Sequence, residues 1–110
     1  MKSDLPYLGH IADSIAAIET YVAEGRTVFM AQRLIQDAVV RNFEIIGEAA
    51  NHLSPASREG FDEAWRKVIA FRNRLIHGYY QVDPDQVWRV VSEDLLELRR
   101  QIQEIQDSLQ

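Results

Sequence analysis

Apolar residues return every three or four positions along most of this chain, which is the period of a helix buried on one face. Leu8, Ile11, Ile15, Ile18 and Val22 form a narrow seam, and Gly25 offers a stop behind it. A second, longer pattern runs from about Val28 to Leu53 on Ile35, Ala38, Val39, Ile46, Ala49 and Leu53. Ser54-Pro55 ends it and can start a short following turn, with serine as N-cap and proline at the first helical position. Asp62 is placed to open a further helix, in which Trp65, Val68, Ile69 and Ile76 form one stripe with Leu75 at its edge. Gly78 offers its stop. Asp83-Pro84-Asp85-Gln86 reads as an N-cap, an N1 proline and a capping-box-like glutamine. The helix behind it carries Val91, Leu95, Leu98, Ile102, Ile105 and Leu109, a seam that matches the first.

No strand pattern, repeat or linker interrupts this series. The expected fold is all-α: one domain over residues 1–110, an up-and-down four-helix-type bundle with an extra short helix, its first and last helices packed near-antiparallel. At 110 residues the core is modest and gains from oligomerisation. Without cysteine there is no disulfide framework and no thiolate metal site. The N-terminal residues lack an apolar run of signal length, and no segment approaches membrane-spanning length, so a soluble cytoplasmic protein with no membrane partner is expected.

Charge sharpens the picture by its distribution. The net charge of −5 argues against a protein that coats nucleic acid. Yet Ala64 to Val82 contains Arg66, Lys67, Arg72 and Arg74 and no acidic residue, while acids gather in Asp4 to Glu24 and Glu93 to Asp107. A basic patch on an acidic body fits a focused phosphate site; a solvated helix face is the plainer alternative.

Arg72 falls in the middle of an apolar stripe, where a guanidinium needs a carboxylate, a phosphate or a water-filled cleft. Asn73 and His77 lie one turn apart, and Tyr79 follows the stop at Gly78. Imidazole can act as general acid or base near neutrality. Beside an arginine it suits cleavage of an RNA phosphodiester through the ribose 2′-hydroxyl, with Arg72 neutralising charge in the transition state. Asn73 would hold the imidazole or a phosphate oxygen, and Tyr79 would position substrate. The competing reading of His77 is a helix-terminal residue that meets free carbonyls and the helix dipole. One chain supplies one such histidine; a two-fold dimer with facing motif helices supplies two and accounts for an arginine in an apolar stripe.

Other residues read more plainly. Asn42 sits inside the second stripe and is expected to fix helix register or to reach the motif helix. Gly47 costs about 1 kcal/mol against alanine within a helix, and close approach of another helix is the expected return. Glu48 lies with Glu44 and His52 on a polar side, a solvated face unless a cation meets it; its functional reading is a carboxylate that orients Arg72 or His77. His10 and His52 read as surface or boundary residues, and Trp65 and Trp88 as core. No spacing suggests a metal site or a phosphate-cradling loop, so no metal or cofactor is expected.

The order Arg72-Asn73, His77, Tyr79 resembles the signature of the HEPN superfamily and, more narrowly, of the HepT-like toxin family: arginine, four residues, histidine, one residue, tyrosine. Ile45-Ile46-Gly47-Glu48-Ala49, Trp65, Val87-Trp88 and Glu93-Asp94-Leu95 extend the likeness, which runs from Tyr7 to about Ile102. Tyr80 is a departure, since it sets a second phenol beside the motif tyrosine. The resemblance implies a homodimeric, metal-independent endoribonuclease toxin of a type VII-like toxin–antitoxin pair, with its motif at the subunit interface. Arg72 and His77 would be catalytic and Asn73 and Tyr79 supporting; the basic patch adds Arg66, Lys67 and Arg74 as the expected RNA contacts. The resemblance also implies a partner, a minimal nucleotidyltransferase antitoxin that transfers AMP onto Tyr79. The alternative is a catalytically silent HEPN scaffold that binds such a nucleotidyltransferase or a nucleotide.

Overall fold

The computed structural model describes residues 4–59, 63–77 and 82–110, with the side chain of residue 64 excepted. Within them the chain is helical: α1 (Leu5–Tyr21), α2 (Arg26–Ala31), α3 (Arg33–Asn51), α4 (Pro55–Arg58), α5 (Glu63–His77), α6 (Pro84–Glu93) and α7 (Leu95–Leu109). No strand occurs among the described residues. The four-helix-type bundle is present, and two of its long members are each broken once.

The first break falls inside the pattern expected to run unbroken from Val28 to Leu53. Gln32 adopts extended geometry (φ −125°, ψ 101°) and separates α2 from α3. The break leaves carbonyls without helical partners, and the Gln36 side-chain amide donates to Phe29 O at 3.0 Å and Met30 O at 3.2 Å. Gly25 behaves as a stop, with φ at +94°, and it also starts α2 as its N-cap. The second break lies at Asp94, a kink between α6 and α7 that keeps backbone bonds from Asp94 N to Val90 O and from Leu98 N to Asp94 O, both 3.0 Å. Burial there pushes the Asp94 carboxyl up, and the nearby Lys67 ammonium opposes the push.

The predicted caps are largely in place. Ser54 caps α4, its hydroxyl accepting from Ser57 N, and Asp83 caps α6 by accepting from Asp85 N at 3.0 Å. The Asp62 start and the Gly78 stop lie outside the described residues.

The core is a continuous cluster. Leu8, Ile11, Ile15 and Ile18 of α1 meet Val39, Phe43 and Ile46 of α3 and Leu95, Leu98 and Ile102 of α7, all essentially without solvent exposure. Glu19, late in α1, pairs with Arg99, early in α7, at 2.9 Å, the order expected of antiparallel neighbours. Trp65 is buried, and Trp88 packs on Phe29 at 5.3 Å between ring centroids, so both indoles serve packing.

The stripe on α5 needs correction. Its buried residues are Trp65, Val68, Phe71 and Leu75; Phe71 meets Phe43 edge-on at 5.3 Å, while Ile76 is 40% exposed. The helix is thus turned so that Phe71 faces the core and Arg72 lies at the rim of the buried face rather than in its middle.

The chain's N-terminal end is clasped to α4. Asp4 is buried and accepts from Ser54 N at 3.0 Å, Ser54 Oγ at 2.5 Å and Ser57 Oγ at 2.6 Å. Burial would raise its pKa, but the bonds from the two serines outweigh it and hold the carboxyl below its ordinary value.

Candidate active site

Gly47 lets α5 approach α3. A Cβ at this position would collide with Cβ and Cγ of Arg72 and lie 3.0 Å from its Cδ, so the arginine stem lies directly on the glycine backbone. This is the close approach that the sequence leads one to expect, and it sets where the guanidinium emerges.

The guanidinium lands on Glu48, the next residue of α3. Arg72 Nη2 donates to Glu48 Oε2 at 2.5 Å, and Nη1 donates to Asn73 Oδ1 at 3.1 Å. The Arg72 side chain retains only 20% of its exposure. Its Nε is buried and has no hydrogen-bond partner among the described residues. One N–H of a fixed cation is therefore left without a partner inside the packed face. The second oxygen of Glu48 lies 3.3 Å from His52 Nε2, and the His52 ring stacks on Tyr7 of α1 with centroids 5.0 Å apart and planes 11° from parallel. A continuous polar line thus runs from Tyr7 through His52 and Glu48 to Arg72 and Asn73.

One plain reading gives way here: Glu48 is an ion-pair partner of Arg72, not part of a merely solvated face. His52 is exposed, as expected of a surface residue, and neighbours Glu48. His10 also joins this region, its ring edge-on to Tyr7 at 6.2 Å. The signals were in the sequence: Gly47 beside Glu48, and a Glu44/Glu48 pair whose repulsion calls for cations. Arg72 and Arg41, the latter 3.8 Å from Glu44, supply them. Asn42 is half-buried and donates to Ala38 O at 2.8 Å, a bond within its own helix.

His77 is exposed in the last turn of α5, where a cation is favoured by the helix dipole, as is Arg74. A five-residue step turns a helix by about 140° and advances it about 7.5 Å, so Arg72 and His77 of one chain point in different directions. Asn73 therefore anchors Arg72, while His77 faces outward. The basic residues also divide. Arg66 shares the side of Asn73 and His77 by helical spacing. Lys67 acts on Asp94 at the α6–α7 kink, and Arg74 lies over the Phe71 ring at 5.7 Å. Tyr79 lies outside the described residues. Among the described residues no group of three or more histidine, aspartate or glutamate side chains is arranged to hold a metal ion. No helix among them is long and apolar enough to cross a membrane.

A family model described as Ribonuclease HepT-like matches residues 11–105. The chain belongs to the HepT-like ribonuclease family. Among similar proteins, the HepT-like relative named "Probable ribonuclease HepT" from Thermococcus cleftensis is 33% identical over 94% of this chain and 96% of its own length. A "Putative RNase" from Caldanaerobacter subterraneus is also 33% identical, over 96% of each chain. A protein named "Gamma-glutamylcyclotransferase and putative RNase" from Methanocaldococcus jannaschii is 37% identical over 99% of this chain, which spans 50% of that longer protein. No solved structure matches. In this HepT-like chain the matched stretch contains α3 and α5 entire, and with them Glu48, Arg72, Asn73 and His77.

Proposed function

We propose that this HepT-like ribonuclease cuts RNA internally, without a metal, at a cleft between two copies of the chain. The 2′-hydroxyl of the ribose attacks the adjoining phosphorus while a His77 imidazole takes its proton. The P–O5′ bond breaks, and a second imidazole protonates the departing oxygen, leaving a 2′,3′-cyclic phosphate and a 5′-hydroxyl. Arg72 neutralises the charge that gathers on the phosphorane-like transition state. Asn73 and Glu48 hold the guanidinium so that no reorganisation is needed as charge develops. Arg66, on the side of His77, meets the RNA backbone; Lys67 and Arg74, directed elsewhere on the helix, act at longer range or on the second strand segment.

The observation that carries this reading is Arg72: a cation locked over Gly47 by a carboxylate and an amide, with a buried N–H unspent, on the helix that ends in His77. The divergence of Arg72 and His77 along one helix supports the dimer, because a facing copy brings its His77 toward this Arg72. Ile76, 40% exposed, and the partly buried Ile69 supply apolar surface beside that rim.

The proposal extends to regulation. The enzyme acts as the toxin of a type VII-like pair, and a minimal nucleotidyltransferase silences it by transferring AMP onto Tyr79. The added phosphate would sit against Arg72 and His77 as a substrate phosphate does. Induced expression tests this directly. Growth arrest with RNA cleavage, relieved by the co-expressed nucleotidyltransferase and not relieved for Tyr79→Phe, is expected, with the AMP mass located on Tyr79 rather than Tyr80. A Tyr79→Phe protein that the partner still silences rules out the modification model.

A further inference from the structure

A groove on the surface between α1 and α3 is lined by residues of both helices, Glu48 among them. It forms a cavity of about 260 Å3 whose walls are Tyr7, His10, Arg41, Glu44, Glu48 and His52, over a floor of Ile45 and Ala49. That volume lies below the roughly 300–1,000 Å3 of sites for drug-sized ligands and suits a single ring system. None of the catalytic steps above uses it.

Its chemistry is that of a nucleobase site. Its wall carries three aromatic rings: Tyr7 stacks on His52 and meets His10 edge-on, which leaves the outer face of the exposed His52 ring for a base. Single-stranded RNA is read by such rings stacking on an unpaired base and by hydrogen bonds to its Watson–Crick edge. The floor is apolar, as a base face requires. The reader of the edge is Glu44, whose side chain keeps 25% exposure and is held only loosely, 3.8 Å from Arg41. Glu48 cannot take that part, because one of its oxygens binds Arg72 and the other meets His52.

An ionised carboxylate only accepts hydrogen bonds. The base that answers it best brings two donors side by side. Guanine does so through N1–H and the N2 amino group; uracil offers one N–H between two carbonyl oxygens, which a carboxylate repels. Because Glu48 both walls the cavity and grips Arg72, a base seated here adjoins the phosphate at Arg72.

We propose that this groove is a guanine subsite that seats the nucleotide flanking the scissile phosphate. The inference rests on the ribonuclease reading, and binding separates the two. Guanosine 3′-monophosphate and uridine 3′-monophosphate are titrated into the intact protein and into Glu44→Gln and Tyr7→Leu, followed by NMR, and RNA cut sites are mapped by end sequencing. Guanosine should bind about tenfold more tightly than uridine, the scale of one bidentate base contact. Glu44→Gln should erase that preference, and Tyr7→Leu should weaken both nucleotides by about tenfold through lost stacking. Guanosine monophosphate should compete with RNA, and cuts should fall beside guanines in the wild type but not in Glu44→Gln. Equal binding of the two nucleotides, or a preference that survives Glu44→Gln, overturns the subsite. Guanosine binding that does not compete with RNA overturns its assignment to the substrate. A guanosine preference in a protein that cuts no RNA fells the ribonuclease reading and keeps only the base chemistry.

Discussion

Two carboxylates of this molecule each tie one helix to another, and they do so in opposite ways. Asp4 is buried and spends its acceptor capacity on Ser54 and Ser57, both on the single short segment around α4. Glu48 is 57% exposed in its side chain and joins Arg72 of α5 to His52, which in turn stacks on Tyr7 of α1. The first cluster is closed: the carboxylate's oxygens are met by donors from Ser54 and Ser57, and Asp4 and Ser57 are buried. The second is open: its cation keeps a buried N–H without partner among the described residues and stands at a rim. A satisfied buried carboxylate fixes the fold, whereas an ion pair that reaches the surface leaves part of its cation open to a phosphate.

The sharpest way to break the contrast is at Gly47. Gly47→Ala places a methyl where the Arg72 stem now lies, and because the Arg72 Cβ is fixed to its Cα, α5 itself must shift. A displacement of about 1 Å at a catalytic group costs on the order of 10²-fold in rate. Overpacking should remove about 1–3 kcal/mol of stability. RNA cleavage rates and thermal melting of the variant check both.

Next in size is Glu48→Ala. It releases Arg72 without touching the core, so cleavage should fall by about tenfold or more while stability changes by less than about 1 kcal/mol, the usual scale for a partly exposed pair. The loss should appear in kcat more than in KM, since Glu48 orients the cation rather than binding substrate.

The smallest effect on chemistry belongs to Asp4→Asn. Cleavage per folded molecule should not change, whereas stability at neutral pH should drop by about 2 kcal/mol through lost charge-assisted bonds. The sign with pH follows from the depressed pKa. A carboxyl that is more acidic when folded stabilises above its unfolded value, near 3.8, and loses that stabilisation as pH falls through the folded one. The wild type should therefore lose stability more steeply than Asp4→Asn in acid melts below about pH 4.

The same contrast explains what could be seen in the sequence. The seams on α1 and α7 are legible because each buries one regular face; Leu8 to Ile18 and Leu95 to Ile102 are core as their spacing demands. Gly47 is legible because its helical cost must have a return. The break at Gln32 is not, since Gln36 repairs it with a side-chain amide that looks like any exposed glutamine. Phe71 is hidden in the pattern because counting from Trp65 through Ile69 and Ile76 centres the stripe some way round the helix from its true face. The bonds of Asp4 to Ser54 and Ser57 and the stack of His52 on Tyr7 escape for a common reason: the partners lie far along the chain, and only packing brings them together. Arg72 and His77 stand out in the sequence as a pair, and the five-residue step between them already makes them diverge along one helix; what packing adds is the seat of Arg72 on Gly47.

The central claim is that Arg72 and His77 perform the chemistry of this HepT-like ribonuclease. The most direct measurement is the rate at which purified protein cleaves RNA, comparing wild type with Arg72→Ala and His77→Ala, with melting curves and molecular mass taken on the same samples. Each substitution should lower the rate by about 10²- to 10⁴-fold, with fold and dimer intact and with wild-type products ending in 2′,3′-cyclic phosphate. Cleavage that persists unchanged in both variants would contradict the account.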